Sequence, residues 1–236
     1  MTIIASNFKT NHTRSSTKKF VEKVNEYLKN ENIENEVLIF PTATSLDVFS
    51  TQKNLKIGVQ NAYGAVKGSY TGEIALEQIN EFNIKTILIG HSERREIFNE
   101  TQKDIAKKYE FYKSLGFQIV YCIGEPLEIK EQGIEKTLEY LFEQFDGIDT
   151  NYENLILAYE PIWAIGTGVT ATIEDIKQVH SAIKNRISKP LLYGGSVKLE
   201  NIKEICEIEN VDGALIGTAS WEVENFIKII EKTKDL

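Results

Sequence analysis

Glu160, His91 and Lys9 each stand at the end of a short apolar run, and together they could move a proton beside a carbonyl. Glu160 lies in Ala158-Tyr159-Glu160-Pro161, between a run that reads as a buried strand and a glycine-rich stretch. A carboxylate set between apolar neighbours gains basicity when water is shut out. A lone glutamate at a strand end is more often simply solvated. The residues that follow it, Ile162-Trp163-Ala164-Ile165-Gly166-Thr167-Gly168, argue for more. Two glycines framed by small and apolar residues look like a lid hinged at each end, with backbone N–H groups free to meet an anion.

His91, in Ile89-Gly90-His91-Ser92-Glu93-Arg94-Arg95, follows an apolar strand and precedes a helix start. The positive end of a helix dipole would lower its pKa and favour a neutral imidazole that donates a hydrogen bond. His12 and His180 lack that setting and read as structural. Lys9, flanked by Asn7 and Asn11, would be the fixed cation. Held about 4 Å from a developing oxyanion at an effective ε of about 20, a lysine is worth roughly 4 kcal/mol. That is about a thousandfold in rate if it acts on the transition state alone. Gly194-Gly195-Ser196 and Gly217-Thr218 add small residues after two further strands, where barrels often bind phosphate on loop amides. The set suits proton abstraction next to a carbonyl in a phosphate-bearing substrate. It does not suit hydrolysis through a serine nucleophile, or a metal site.

The elements that must position these groups are legible as short apolar runs, at residues 3–8, 36–40, 56–61, 86–89, 118–123, 155–159, 190–193 and 213–216. They are continuous rather than alternating, as parallel strands covered on both faces are. Between them run helical stripes: Phe20, Val24, Tyr27 and Leu28; Ile134, Leu138, Leu141, Phe142 and Phe145; Ile173, Ile176, Val179, Ile183 and Ile187. Thr172 and Asp175 have the spacing of a capping box at the start of the third. Strand–helix alternation repeated about eight times predicts a closed barrel or a doubly wound sheet. Residues 62–72, with three glycines, Tyr63, Tyr70 and Thr71, form a loop too long for a simple connection, which points to binding or contact.

Composition bounds the function class. The chain has 236 residues, 42% of them apolar, enough for a large core without disulfide or metal staples. A formal charge of -8 argues against nucleic acid or an anionic membrane as the main partner. Only two cysteines occur, Cys122 and Cys206, without metal-ligand spacing, as in a reduced cytosolic protein. The first residues carry no basic segment followed by a long apolar one, and no apolar run approaches a membrane span. The expectation is a cytoplasmic protein.

In order and spacing, five segments resemble the triosephosphate isomerase family: Asn7-Phe8-Lys9-Thr10-Asn11, Gly90-His91-Ser92-Glu93-Arg94-Arg95, Cys122-Ile123-Gly124-Glu125, residues 158–168, and Tyr193-Gly194-Gly195-Ser196-Val197. The match runs from the first strand to the last helix, and residues 159–168 are its most specific part. The resemblance implies a (β/α)8 TIM barrel, one domain over residues 1–236. It implies interconversion of dihydroxyacetone phosphate and D-glyceraldehyde 3-phosphate through an enediol(ate), in glycolysis and gluconeogenesis, with no cofactor and no metal. Glu160 is then the base, His91 the electrophile and proton relay, and Lys9 and Asn7 the stabilisers of the enediolate oxygens. Glu93 stands behind Lys9 and His91, and the amides of Gly166, Ser196, Gly217 and Thr218 hold the phosphate. Glu125 is the partner of Trp163 when the lid is open, and Tyr193 meets the closed lid near Ala171. A homodimer is also implied, with Thr71 inserted beside the partner's Asn7 and Lys9.

The sequence departs from the family in places. Phe8 and Thr10 stand where Trp and Met are usual, at what read as packing positions. Thr218 replaces a second glycine and would be strained if its φ were positive. Val169 stands where a lysine is common, and the chain is slightly short, as if loops or helices were trimmed. A different phosphate-binding barrel isomerase would need another acid–base set. A non-catalytic phosphate-binding barrel is the alternative, but it would have no physical reason to keep Lys9, His91 and Glu160 together.

Overall fold

Eight parallel strands form one sheet in the order β3-β2-β1-β8-β7-β6-β5-β4 in a computed structural model that describes residues 2–165 and 169–236. The strands are β1 Ile3–Asn7, β2 Glu36–Phe40, β3 Leu55–Ile57, β4 Thr86–Ile89, β5 Gln118–Ile123, β6 Leu155–Tyr159, β7 Leu191–Tyr193 and β8 Gly213–Ile216. The sheet closes where Val59 bridges Ile87: the Val59 N–H donates to the Thr86 carbonyl and the Leu88 N–H to the Val59 carbonyl. Of the two architectures left open by alternation, the closed barrel is the one formed.

The expected third strand, residues 56–61, shortens to β3 because Gly58 passes against the Phe40 ring, where a Cβ would lie 2.3 Å from it. The seventh begins one residue late because Pro190 has no N–H for the ladder; its carbonyl still accepts from Leu157 at 2.8 Å.

Helices cover the outside: α1 Arg14–Asn30, α2 Leu76–Glu81, α3 Ser92–Glu96, α4 Gln102–Ser114, α5 Leu127–Lys130, α6 Ile134–Glu143, α7 Ile173–Lys184, α8 Ile202–Cys206 and α9 Val223–Lys232. The capping box of α7 is present, with Thr172 Oγ1 accepting from the Asp175 N–H at 3.1 Å and Asp175 Oδ2 accepting from the Thr172 N–H at 3.0 Å. The eightfold alternation breaks once. Between β2 and β3 stands only a 3-10 turn, Ala43–Ser45, where the Thr42 hydroxyl bonds Ser45 Oγ at 3.1 Å. Short hydroxyl side chains that bond locally compete with helix formation. Ile134 and Ile173, at the first positions of their helices, remain exposed, so the two stripes are shorter than their sequence pattern.

Two apolar cores result from the two-residue period of the strands. Ala5, Leu38, Leu88, Val120, Ala158, Leu192 and Leu215 fill the barrel. Their neighbours, such as Ile4, Ile39, Ile87, Tyr121, Leu157 and Ile216, pack outward against the helices. Among the described residues, no helix is long and apolar enough to cross a membrane.

Candidate active site

The inward alternation continues past the C-terminal ends of the strands. Two residues beyond Ala5, Leu88, Cys122, Ala158, Leu192 and Leu215 stand Asn7, Gly90, Gly124, Glu160, Gly194 and Gly217. Four of these six are glycine, so this layer holds one amide, one carboxylate and space. The space is required: a Cβ at Gly124 would lie 1.9 Å from the Glu160 carbonyl oxygen, and one at Gly194 2.8 Å from Glu160 Cγ. The sequence reading gave Gly124 and Gly194 no role toward Glu160. Only closure of the barrel brings them together.

A cavity of about 330 Å³ opens over this layer, lined by Asn7, Lys9, His91, Glu160, Ser196, Gly217 and Thr218 among others. Glu160 is buried, and both its oxygens are engaged. Oε2 accepts from the Ser92 N–H at 3.0 Å, and Oε1 lies 3.0 Å from His91 Nε2. His91 caps α3, its Nδ1 accepting from the Glu93 N–H at 3.2 Å. With a donor aimed at Nδ1, the proton of a neutral ring belongs on Nε2, directed at Glu160.

Burial alone would raise the Glu160 carboxyl, but His91, the Ser92 N–H and Lys9 outweigh it and hold the group below its ordinary value. Burial likewise opposes charge on His91, yet the Glu160 carboxylate, helped by Glu93, holds the imidazole above its ordinary value. Both directions are opposite to those expected from sequence, and the cause is shared: the two groups face each other. Were the two groups separated, burial would be left to raise the carboxyl, and burial with the Glu93 N–H to lower the imidazole.

Lys9 has a φ of 50°, a left-handed conformation that is costly for a residue with a side chain. Its N–H donates to Asn7 Oδ1 at 3.0 Å, and Nζ pairs with Glu93 Oε1 at 2.7 Å. Its carbonyl accepts from Gln60 Nε2 at 2.9 Å, and that nitrogen also reaches the Phe40 carbonyl at 2.9 Å. Nothing in the sequence marked Gln60. Arg95, by contrast, stood inside the quoted His91 segment without a role. Its guanidinium donates to the carbonyls of Gly90 at 2.8 Å and Cys122 at 3.2 Å, tying the ends of β4 and β5 together.

Ser196, Gly217 and Thr218 line the same cavity, and Gly217 stands beside the Lys9 side chain, where a Cβ would lie 3.5 Å from Lys9 Cε. Gly166 lies outside the described residues. Glu125 is buried, and its Oε1 accepts from Trp163 Nε1 at 2.8 Å and from the Tyr159 hydroxyl at 3.0 Å. Burial pushes its carboxyl up. The Tyr193 hydroxyl is buried, with the backbone N–H groups of Ala171 and Ser196 directed at it. Thr71 is exposed on its long loop, away from the cavity. Among the described residues, no group of three or more His, Cys, Asp and Glu is arranged to hold a metal ion.

A carboxylate, an imidazole and an ammonium thus converge on one cavity at the C-terminal rim of a barrel. The chain also matches the family model described as Triosephosphate isomerase over residues 2–233. The chain belongs to the triosephosphate isomerase family. The triosephosphate isomerase of Nitratiruptor sp. is 55% identical over 234 residues, 99% of either chain. That of Sulfurimonas denitrificans is 51% identical over 99% of this chain and 97% of its own. That of Sulfurovum sp. is 54% identical over 97% and 99%.

The departures from the triosephosphate isomerase pattern resolve differently. Thr218 avoids the left-handed region and opens the 3-10 turn Thr218–Ser220, so the anticipated strain is not there. Phe8 is fully buried, with its ring 4.8 Å from that of Phe20, as a packing position should be. Thr10 is exposed, which corrects its reading as a packing position.

Proposed function

We propose that this protein interconverts dihydroxyacetone phosphate and D-glyceraldehyde 3-phosphate through an enediol(ate), in glycolysis and gluconeogenesis, as a cytoplasmic, single-domain homodimer. The observation that carries the reading is the convergence of Glu160, His91 and Lys9 on one cavity. Glu160 takes a proton from the carbon beside the carbonyl and returns it to the neighbouring carbon. His91 donates from Nε2 to the substrate oxygens and relays a proton between them. Lys9 and the Asn7 amide stabilise the negative oxygen, while Glu93 fixes the Lys9 ammonium. The amides around Ser196, Gly217 and Thr218 take the phosphate. No electron leaves or enters the substrate, so the chemistry calls for no redox cofactor.

Exposed apolar side chains support the dimer. Tyr63, Val66 and Tyr70 on the long loop, and Ile97 and Phe98 after α3, all face solvent in the single chain. The Tyr63 and Tyr70 rings stack at 4.0 Å, which stiffens the loop that carries Thr71. The deciding assay is interconversion of the two triose phosphates by purified protein with a chelator present. Rapid turnover that vanishes in Glu160→Gln is expected. No turnover by the folded protein would leave a non-catalytic phosphate-binding barrel. Sedimentation is expected to give twice the chain's mass; a fully active monomer would remove the dimer from the reading.

A further inference from the structure

Trp163 follows Glu160 by three residues, in the 3-10 turn Ile162–Ala164, so the indole and the carboxylate share one short, hydrogen-bonded piece of backbone. Its Nε1 is held by Glu125. Its ring is held by something else. Lys130, the last residue of α5, places Nζ 3.4 Å from the centroid of the indole. The same Nζ lies 3.3 Å from Asp175 Oδ2, the oxygen that closes the capping box of α7. One ammonium therefore touches the element that leads out of the catalytic glutamate and the start of the helix on the other side of the 161–172 segment.

We propose that Lys130 is a positioning residue for isomerisation: its charge, read by the Trp163 face and by Asp175, holds the indole where it favours the resting contacts of Glu160. In this arrangement Glu160 is committed to the Ser92 N–H and to His91. Reaction requires the carboxylate to leave the Ser92 N–H, and the turn that carries Trp163 begins only two residues after Glu160, so backbone movement at one is transmitted to the other. Each contact that fixes the indole opposes that movement. A cavity of about 200 Å³ beside the indole, lined by Glu125, Lys130, Thr137, Tyr159, Trp163 and Asp175, gives the ring room to move without displacing the core. Arginine at 130 would keep both the aromatic contact and the ion pair, whereas a neutral side chain of similar length keeps neither.

The proposal rests on the isomerase reading, and its test separates the two. Protein labelled with 5-fluorotryptophan has two fluorine environments, Trp163 and Trp221, assigned with Trp163→Phe. In Lys130→Met the Trp163 resonance is expected to shift or broaden while that of Trp221 stays put, and Lys130→Arg should restore it. With D-glyceraldehyde 3-phosphate, KM should fall roughly two- to fivefold in Lys130→Met with kcat held within about twofold, the scale of a half-exposed cation–π contact. An unmoved Trp163 resonance would overturn the proposal, as would an unchanged KM or an arginine variant that behaves like methionine. If wild-type protein turns over no triose phosphate, the isomerase reading fails, and the fluorine spectra still decide whether Lys130 positions Trp163.

Discussion

At the N-terminal rim of the barrel, Glu36 accepts from Lys56 Nζ at 2.6 Å and from Gln118 Nε2 at 2.9 Å, and Thr86 Oγ1 donates to Gln118 at 3.2 Å. At the C-terminal rim, Lys9 pairs with Glu93 at 2.7 Å and Glu160 faces His91 at 3.0 Å. The ingredients are alike, and the backbones are not. The lower cluster sits on regular strands, whereas the upper one includes Lys9 in a left-handed conformation. The lower groups satisfy one another permanently. Under the proposed function, the upper groups satisfy one another only until a substrate competes, when Glu160 exchanges the Ser92 N–H and His91 for a carbon-bound proton. Strain and exchangeable partners mark the working end of a barrel, and saturation marks the structural end.

The largest effect expected is at Glu160. Glu160→Gln should lower kcat by about a thousandfold or more, the scale of a lost general base. Glu160→Asp should lower kcat about a hundredfold with little change in KM, since retreat by one methylene misplaces the base. A normal kcat in either would remove Glu160 from the mechanism. The glutamine variant should also lower the pKa of His91, read by NMR titration, because the carboxylate is what holds it up. Next comes Lys9→Met, for which kcat/KM should fall about a thousandfold. More than a tenth of wild-type activity would show that the ammonium does not meet developing charge.

A smaller effect concerns acid stability. His180 is fully buried behind the Tyr159 and Tyr193 rings, its Nδ1 bonded to the Asn210 carbonyl at 2.9 Å. Burial lowers its pKa to about 4. The unfolded chain takes up this proton below its ordinary value near 6.5, and the folded chain does not until about 4. Stability should therefore fall as pH drops through that window, by about 3 kcal/mol from this group. Denaturant unfolding at several pH values checks it, and His180→Gln should flatten the slope. The smallest effect belongs to the lower rim. Glu36→Gln should cost about 1 kcal/mol or less, because the Lys56 side chain is 43% exposed and the pair is screened. Its kcat/KM should match wild type; a tenfold loss would mean that the two rims are coupled.

Much of the fold was legible because it is encoded locally. The runs that became β2, β4, β5, β6 and β8 are bounded in the structure where the apolar pattern bounds them. Thr172 and Asp175 announced the start of α7 for the same reason, since a capping box needs only residues three apart. The missing helix between β2 and β3 was harder to read. Its residues include Leu46, Val48 and Phe49, and only the local hydroxyl bonds around Thr42 show why they do not coil.

For the site, sequence singled out Glu160, His91 and Lys9 as candidates by their places just past apolar strands, and the two-residue period puts Glu160 on the inward face, whereas His91 stands one residue off it and lines the cavity as the cap of α3. Sequence could not give the direction of either pKa. Those directions follow from Glu160 and His91 standing 3.0 Å apart although they are far separated along the chain. Nor could it show that Gln60 props the strained Lys9 carbonyl, or that Gly124 and Gly194 make room for the Glu160 backbone and side-chain stem. Periodicity and capping depend on neighbours in the chain, so they can be read from it. Coulomb energy, strain relief and steric room depend on distances between residues far apart in sequence, and barrel closure sets those distances.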